Sequence, residues 1–257
     1  MASPVGGDLV SMTNLDWSFS IDSVRRELGF SRLLVVNDVA ALALGIPALT
    51  PADLHQIGEG AAAVAANRAV LGLGTGLGVS GLTHHSGNWV PVTGEGGHAT
   101  LAAETAVENE VLRLLRRKFA HVSAERVLSG PGLLNLYKSM CEIRGATADD
   151  IDPAEITRRA LCNDGDRACE ETVQCFLAWL GSAAGNIALT LGARGGVYLG
   201  GGVAAKMQSL FAGSMFRARF ESKGRFAAYL AAVPTWIVSE SSNAALHGAG
   251  RAFDLEN

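Results

Sequence analysis

The sequence predicts an α/β fold. Short apolar runs with strand character are spread along the whole chain, stretches of helical periodicity lie between them, and we find no internal repeat. Such alternation is typical of a sheet that carries helices on its faces. With 257 residues, 48% of them hydrophobic, the chain can bury a substantial core, either in one large domain or in two lobes.

Five short runs rich in Leu, Val and Ile are predicted to be strands. They cover residues 33–36, 69–73, 79–82, 197–199 and 235–238. The second and third runs flank a stretch rich in glycine, so we expect these two strands to form a hairpin.

Two helices are well marked by their patterns. Val107, Val111, Leu114 and Leu115 recur at helical spacing, which predicts a surface helix with one buried stripe. Acidic residues lie early in this segment, Glu108 among them, and basic residues lie late, which also complements the helix dipole. A longer helix is predicted over Arg167–Leu191. Its small residues around position 183 favour close packing against a neighbouring element.

The charge and the termini limit the function classes. A net charge of -4 provides no basic surface to attract nucleic acid, so we expect no nucleic-acid partner. Residues 1–8 lack the basic and apolar regions of a signal peptide, and polar residues interrupt every long apolar run. We therefore expect no membrane partner and a cytoplasmic location.

The four cysteines contain no C-x-x-C pair, which favours reduced thiols over a disulfide or a metal site. They are Cys141, Cys162, Cys169 and Cys175. We expect no metal ligands among the protein's own residues.

Asp38 is the first candidate for chemistry. It follows the predicted strand 33–36 and precedes the apolar stretch 39–44, which is predicted to be a helix. A corner between a strand and a helix exposes its side chain where α/β folds bind ligands. The alternative is that Asp38 only caps the helix, and position alone does not separate the two.

Residues 72–78 have glycine at every second position and Thr75 at the centre. This pattern matches neither the G-x-G-x-x-G fingerprint nor the P-loop, which ends in Lys. It favours a hairpin whose bare backbone N–H groups and threonine hydroxyl face a ligand. The alternative is an ordinary tight hairpin.

Glu95 and His98 lie in the stretch 94–98, in which the other three residues are glycines. A carboxylate and an imidazole match the paired donors and acceptors of a polyol, and the glycines allow close approach. The alternative is a solvated loop. A zinc site at His98 is not favoured, because no second ligand lies at a suitable spacing.

Two further segments complete the pattern. Glu125 falls in the first turn of a helix predicted to begin near Ser123, where an acidic residue is expected from the helix dipole alone. The glycines at 200–202 follow the strand 197–199 and precede a helix predicted near 203–211, an arrangement that suits the approach of a nucleotide.

In this order, the stretches 35–38, 72–78, 94–98 and 123–132 resemble the bacterial glucokinase family of the hexokinase/actin-like superfamily. The resemblance runs from about residue 4 to about residue 250. It implies the actin-like, ribonuclease H-like ATPase fold. The Asp-x-Gly-Gly-Thr-Asn phosphate loop with which family members open has no match here. We therefore expect a small lobe truncated at its N-terminus, with residues 1–36 as its remnant, and a complete large lobe over 37–257 that holds the sugar and nucleotide sites.

The resemblance also implies roles for individual residues. Asp38 would orient or deprotonate the 6-hydroxyl of the sugar, and four further side chains would hold the sugar. These four are Asn37, Glu95, His98 and Glu125. The nucleotide would contact Gly74, Thr75, Gly76, Gly201 and Gly202.

The implied activity is that of a glucokinase, which transfers the γ-phosphoryl group of ATP, with Mg²⁺, to the 6-hydroxyl of glucose at the entry to glycolysis. Members of the family are often dimers, so a homodimer is one expectation. The alternative is a non-catalytic sugar-binding remnant or a fragment of a longer glucokinase. A nucleotide-dependent dehydrogenase is a weaker alternative, because the Rossmann fingerprint is absent.

Overall fold

A mixed six-stranded sheet forms the centre of the protein in a computed structural model, which describes residues 7–11, 17–162 and 165–255. The order of its strands is β3-β8-β7-β4-β5-β6, and β1 and β2 form a separate two-stranded sheet. The strands within the described ranges are β1 (Leu9–Ser11), β2 (Ser18–Ser20), β3 (Leu54–Ile57), β4 (Arg68–Leu73), β5 (Leu77–His85), β6 (Asn88–Gly94), β7 (Val197–Gly200) and β8 (Thr235–Val238).

Strands β4, β7 and β8 are parallel neighbours, whereas β3, β5 and β6 pair in antiparallel fashion. β4 lies inside the sheet, and its residues 69–71 are fully buried. Leu71 belongs to a large core on one face of the sheet, and Val70 belongs to a smaller core on the other. Burial on both faces explains why this strand is a continuous apolar run.

Helices cover both faces of the sheet, which confirms the α/β class. The large core contains side chains of α3, α4, α6 and α8, and the smaller core contains those of α2 and α10. The helices in the described residues are α1 (Ile21–Glu27), α2 (Asp38–Gly45), α3 (Ala106–Leu115), α4 (Gly130–Ile143), α5 (Pro153–Cys162), α6 (Arg167–Leu191), α7 (Gly202–Lys206), α8 (Phe216–Glu221), α9 (Ala227–Ala231) and α10 (Ala244–Leu255).

The long helix α6 has the predicted bounds, and its glycines make the predicted close contacts. A Cβ built on Gly181 would lie 2.1 Å from the carbonyl oxygen of Phe216, and one on Gly185 would lie 2.5 Å from that of Phe220. Helix α8 therefore packs directly on the backbone of α6. Among the described residues α6 is also the one helix long and apolar enough to span a membrane, and 67% of that stretch is buried in the protein.

Helix α3 is confirmed, with a different buried stripe. Val107 is exposed, and Leu112 is buried in its place. Glu108, expected only to complement the helix dipole, is itself buried, and Arg219 of α8 donates to its two carboxylate oxygens at 2.8 and 3.2 Å. The pair joins α3 to α8 in the large core.

Helices α2 and α10 pack with their backbones in contact. A Cβ built on Gly45 would lie 1.9 Å from the carbonyl oxygen of Ala244, and one on Gly248 would lie 1.7 Å from that of Ala41. The glycines of the two helices thus allow this close packing. It also fixes α2, which begins at Asp38, against the C-terminal helix.

The predicted strand 33–36 is wrong, since residues 32–37 lie outside the helices and strands. Leu34 and Val36 instead pack against the smaller core. The apolar pattern of this run therefore reflects burial rather than a place in the central sheet. The division into a remnant at 1–36 and a lobe at 37–257 stays a prediction. Residues 1–6 and 12–16 of the proposed remnant lie outside the described residues.

Candidate active site

A cleft of about 610 Å³ opens beside the ends of β4, β5 and β7. It is bordered by the start of α2, by the turn between β4 and β5, and by the two segments that contain Glu95 and Glu125. Nine of the ten residues singled out from the sequence line this cleft. They are Asn37, Asp38, Gly74, Thr75, Gly76, Glu95, His98, Glu125 and Gly201.

Asn37 and Asp38 lie at the N-terminus of α2, and only Asn37 is its cap. The Oδ1 atom of Asn37 accepts hydrogen bonds from the backbone N–H groups of Val39 and Ala40, at 3.0 and 3.1 Å. Asp38 is the first helical residue and is exposed to the cleft. The capping alternative for Asp38 is therefore wrong.

The Asp38 carboxylate keeps one oxygen available. Its Oδ1 accepts from the N–H of Val39 at 2.9 Å, whereas within the described chain its Oδ2 has no hydrogen-bond partner. An exposed carboxylate at the start of a helix can accept a proton from, or orient, a hydroxyl that enters the cleft.

The glycine stretch forms the predicted hairpin. β4 and β5 pair from Arg68↔Leu82 to Leu73↔Leu77, and the N–H of Gly74 donates to the carbonyl of Gly76 at 3.0 Å to close the turn. The side chain of Thr75 is exposed at the tip. A Cβ built on Gly74 would meet nothing within 4 Å, so the cleft is open at this glycine.

The outer glycines of the hairpin accommodate the helix that begins at Asp38. Cβ atoms built on Gly72 and Gly78 would lie 2.9 and 2.1 Å from Cγ2 of Val39. The space beside Gly72 and Gly78 is thus filled by the side chain of Val39, whereas the space beside Gly74 is open. No local sequence pattern indicates this contact with Val39, because the residues that make it are far apart in the chain.

The segment with Glu95 and His98 is held by its glycines. A Cβ built on Gly97 would lie 1.8 Å from the carbonyl oxygen of Leu77, and one on Gly96 would lie 2.9 Å from Val79. The backbone therefore packs on β5, while both flanking side chains are exposed and line the cleft. The alternative of a freely solvated loop does not fit this packing.

Glu125 lies in a short 3-10 turn, Ala124–Arg126, and not in a longer helix as predicted. Helix α4 begins later, at Gly130, because Ser129 is its cap and accepts from the N–H of Gly132 at 3.0 Å. The Oε2 atom of Glu125 accepts from the backbone N–H of Leu77 at 3.0 Å. One carboxylate thus lies against the glycine hairpin.

The two glycines predicted to contact the nucleotide after β7 differ in their position relative to the cleft. Gly201 lines the cleft, whereas Gly202 begins α7 and does not. A Cβ built on Gly202 would lie 3.0 Å from the carboxylate of Glu240, a residue that the sequence patterns did not single out. The helix predicted near 203–211 is split into α7 and the 3-10 turn Gln208–Leu210.

The charged groups that line the cleft are mostly negative. The carboxylates of Asp38, Glu95 and Glu125 line it, and no lysine or arginine is among its described lining residues. Elsewhere in the described ranges, too, no cluster of three or more His, Cys, Asp or Glu residues could hold a metal ion. A ligand with several negative charges would therefore need a cation of its own to enter.

Comparison with known proteins is consistent with this geometry. The sequence profile of the Glucokinase family matches residues 1–256. The chain is 49% identical over 241 residues to a glucokinase of Chromobacterium violaceum, covering 94% of this chain and 69% of that protein. It is 46% identical over 246 residues to a glucokinase of Nitrobacter hamburgensis, covering 96% and 77%.

A solved structure shows the same fold. The crystal structure of a glucokinase from an Antarctic psychrotroph superposes with a TM-score of 0.87 at 39% identity, over 98% of this chain and 77% of that one. The chain thus spans about 70 to 80% of the length of these proteins.

Proposed function

Because the chain belongs to the glucokinase family, whose ATP-dependent reaction phosphorylates glucose, we propose that the cleft at the start of α2 is its active site. The observation that carries the proposal is the meeting, in one cavity, of an exposed carboxylate, a bare glycine hairpin and a Glu/His loop. Each was expected from a separate part of the chain.

Asp38 is the catalytic residue of this proposal. Its carboxylate accepts the proton of the 6-hydroxyl of glucose while the 6-oxygen forms a bond to the γ-phosphorus of ATP. The bond between that phosphorus and the bridging oxygen breaks, and ADP leaves. Its Oδ2 atom, which accepts no hydrogen bond from the described residues, supports the role. Loss of a general base typically lowers the rate about 10²- to 10⁴-fold.

The sugar is held by four side chains in this proposal. Carboxylates accept hydrogen bonds from sugar hydroxyls, while the amide of Asn37 and the imidazole of His98 can also donate to their oxygens. The remaining two ligands are Glu95 and Glu125. All four are held by the fold, which favours a preformed site: Asn37 caps α2, the glycines between Glu95 and His98 pack on β5, and Glu125 accepts a hydrogen bond from Leu77.

The nucleotide is bound on the glycine side of the cleft. The open space at Gly74 and the exposed hydroxyl of Thr75 suit phosphate oxygens, and Gly76 and Gly201, which also line the cleft, complete the set. Mg²⁺ arrives with ATP as part of the substrate complex, held chiefly by the phosphates, as is usual for this ion. Its charge offsets that of the triphosphate in a cleft with three carboxylates.

The test is formation of glucose 6-phosphate by the purified chain with Mg²⁺ and ATP, in parallel with calorimetric binding of glucose. We expect Asp38→Asn to bind glucose as the unsubstituted chain does while turnover falls about 10²- to 10⁴-fold. Asp150→Asn, which removes an exposed carboxylate outside the cleft, is the matched control. Chelation of Mg²⁺ should abolish turnover.

Two outcomes would contradict the proposal. Equal loss of glucose binding and turnover in Asp38→Asn would refute its role as base. A folded chain that binds glucose without turnover would favour the alternative of a sugar-binding protein without catalysis, which the similarity to glucokinases does not favour.

We also propose a homodimer in the cytoplasm, with no nucleic-acid or membrane partner. The net charge of -4 supports the absence of a nucleic-acid partner, and the burial of most of the apolar stretch of α6 supports the absence of a membrane partner. Sedimentation equilibrium of the purified chain tests the dimer, and a mass of one chain at all concentrations would refute it.

A further inference from the structure

The Glu125 carboxylate occupies the space beside Gly76 at the end of the glycine hairpin. A Cβ built on Gly76 would lie 2.5 Å from Oε2 of Glu125 and 3.4 Å from its Cδ. The same Oε2 accepts the hydrogen bond from the N–H of Leu77, the next residue of the hairpin. A side chain at position 76 and this position of the carboxylate are therefore mutually exclusive.

The backbone of Gly76 does not itself require glycine. Its φ is not in the left-handed region, unlike that of Gly201 at the other glycine turn of the cleft. A left-handed φ is therefore not the reason for a glycine at this position. The contact with Glu125 is thus the one that a methyl group at this position would meet.

The backbone of Glu125 has little freedom to move away. The hydroxyl of Ser129 donates to the carbonyl of Glu125 at 2.8 Å, and the N–H of Gly130 donates to the carbonyl of Gly74 at 2.8 Å. The segment is therefore tied to the hairpin turn. The clash between a methyl group at 76 and the carboxylate would be relieved by rotation of the Glu125 side chain. This rotation would break the hydrogen bond from Leu77 to the carboxylate.

The bond to Leu77 is also the principal restraint on the carboxylate. Across the described ranges, no lysine, arginine or histidine forms a salt bridge with Glu125, and Leu77 is the one hydrogen-bond donor to its side chain. A carboxylate held by a single N–H leaves its other oxygen for a ligand in the cleft.

We propose that Gly76 is a positioning residue of the sugar site: its lack of a side chain lets Glu125 lie against Leu77, in the orientation that binds glucose. The inference rests on the proposed role of Glu125 as a sugar ligand. A glycine of the hairpin proposed to bind phosphate thus has a second role, which is to orient a side chain that binds the sugar.

The test is a double-mutant cycle on glucose affinity, measured by calorimetry without nucleotide. Gly76→Ala should raise the Kd for glucose about 10- to 100-fold, the range for loss of a hydrogen bond to a charged group. Glu125→Ala should raise it at least as much. In the double variant, the methyl group should add nothing to the effect of Glu125→Ala, because it acts only through that side chain.

Gly74→Ala is the comparison variant from the same turn. Its methyl group meets open space, so the Kd for glucose should stay within about twofold while nucleotide binding weakens. A Gly76→Ala chain with the same glucose Kd as Gly74→Ala would overturn the inference, as would a double variant weaker than Glu125→Ala alone.

Two further outcomes are decisive. Should Gly76→Ala not fold, the double variant must fold and bind glucose as Glu125→Ala does, and its failure to fold would overturn the inference. Because the readout needs no turnover, glucose binding without phosphoryl transfer would count against the proposed function alone. Absence of glucose binding by the unsubstituted chain would refute both.

Discussion

Val39 fills the space in which a side chain at Gly78 would lie. A Cβ built on Gly78 would be 2.1 Å from Cγ2 of Val39 and 3.1 Å from its Cβ. Val39 is buried and directly follows Asp38 at the start of α2. The proposed catalytic carboxylate and the glycine hairpin are therefore held together by one branched side chain.

We predict that Gly78→Ala lowers kcat about 10- to 100-fold, the scale expected when a catalytic group is displaced by about 1 Å. Val39 is β-branched and has few rotamers in a helix, so its rotation cannot absorb the methyl group and the start of α2 must shift. Steady-state kinetics should show a smaller change in the glucose Kd than in kcat.

The control for this prediction is removal of the obstructing methyl groups. Val39→Ala combined with Gly78→Ala should recover most of the lost kcat. Gly72→Ala, whose Cβ would lie 2.9 Å from the same Cγ2, should have a smaller effect than Gly78→Ala. A double variant no faster than Gly78→Ala would show that Val39 does not transmit the effect.

We predict that Gly248→Ala destabilises the protein by about 1 to 3 kcal/mol, the usual cost of overpacking. Its methyl group would lie 1.7 Å from the carbonyl oxygen of Ala41, so α10 would have to move away from α2. Urea unfolding measures the change. Gly250→Ala is the matched control in the same helix, where nothing lies within 4 Å, and should be neutral or stabilising by up to about 1 kcal/mol. Equal effects of the two variants would refute the prediction.

Glu104 should make stability depend on pH in the acid range. Burial alone would raise the pKa of its carboxyl, but the hydrogen bond from Ser182 and the charges of Arg219 and Lys223 outweigh burial and hold the pKa below its ordinary value of 4.5. The charged form is thus favoured by folding. Its contribution is present above pH 4.5 and is lost as the pH falls through the lowered pKa.

Urea unfolding of the Glu104→Gln variant at a series of pH values tests this. The variant should be less stable than the unsubstituted chain at pH 7, and the difference should shrink as the pH falls below 4.5. A difference that stays constant down to the lowest pH at which both chains fold would contradict the assignment.

The thiols should differ in reactivity. Burial raises the pKa of Cys169 and of Cys175 to about 12 and also raises that of Cys141, so few of these thiols are ionised at pH 8. Cys162 is exposed on α5. We expect one thiol per native chain to react rapidly with Ellman's reagent and all four to react after unfolding. Rapid reaction of a second native thiol, or of the Cys162→Ser variant, would contradict this.

The interior elements could be predicted from the sequence because their patterns are set by burial. β4 and β7 are buried on both faces and appear as unbroken apolar runs, and α6 carries small residues where α8 packs. The edge strands β3 and β6 were missed. β3 contains His55 and Gln56, both exposed, and β6 contains a proline, so neither has a strand pattern.

The residues of the cleft could be predicted by type, but their packing could not. A carboxylate after an apolar run, and glycines at alternate positions, indicate a ligand site from local sequence alone. The contacts of Val39 with Gly78 and of Glu125 with Leu77 join segments distant along the chain, and no local pattern encodes them. The same limit explains why Gly202 was placed in the cleft with Gly201, although only Gly201 lines it.

The strand order has a consequence for folding of the protein during its synthesis on the ribosome. β4 pairs with β7 through Val70↔Tyr198, and β3 pairs with β8 through Leu54↔Val238. The hairpin of the cleft is therefore synthesised long before β7, which flanks it on one side, and β3 is synthesised long before its partner β8. Such non-local pairings slow folding and expose strand edges to aggregation. A nascent chain of this protein should depend on protection by chaperones until residue 238 has emerged.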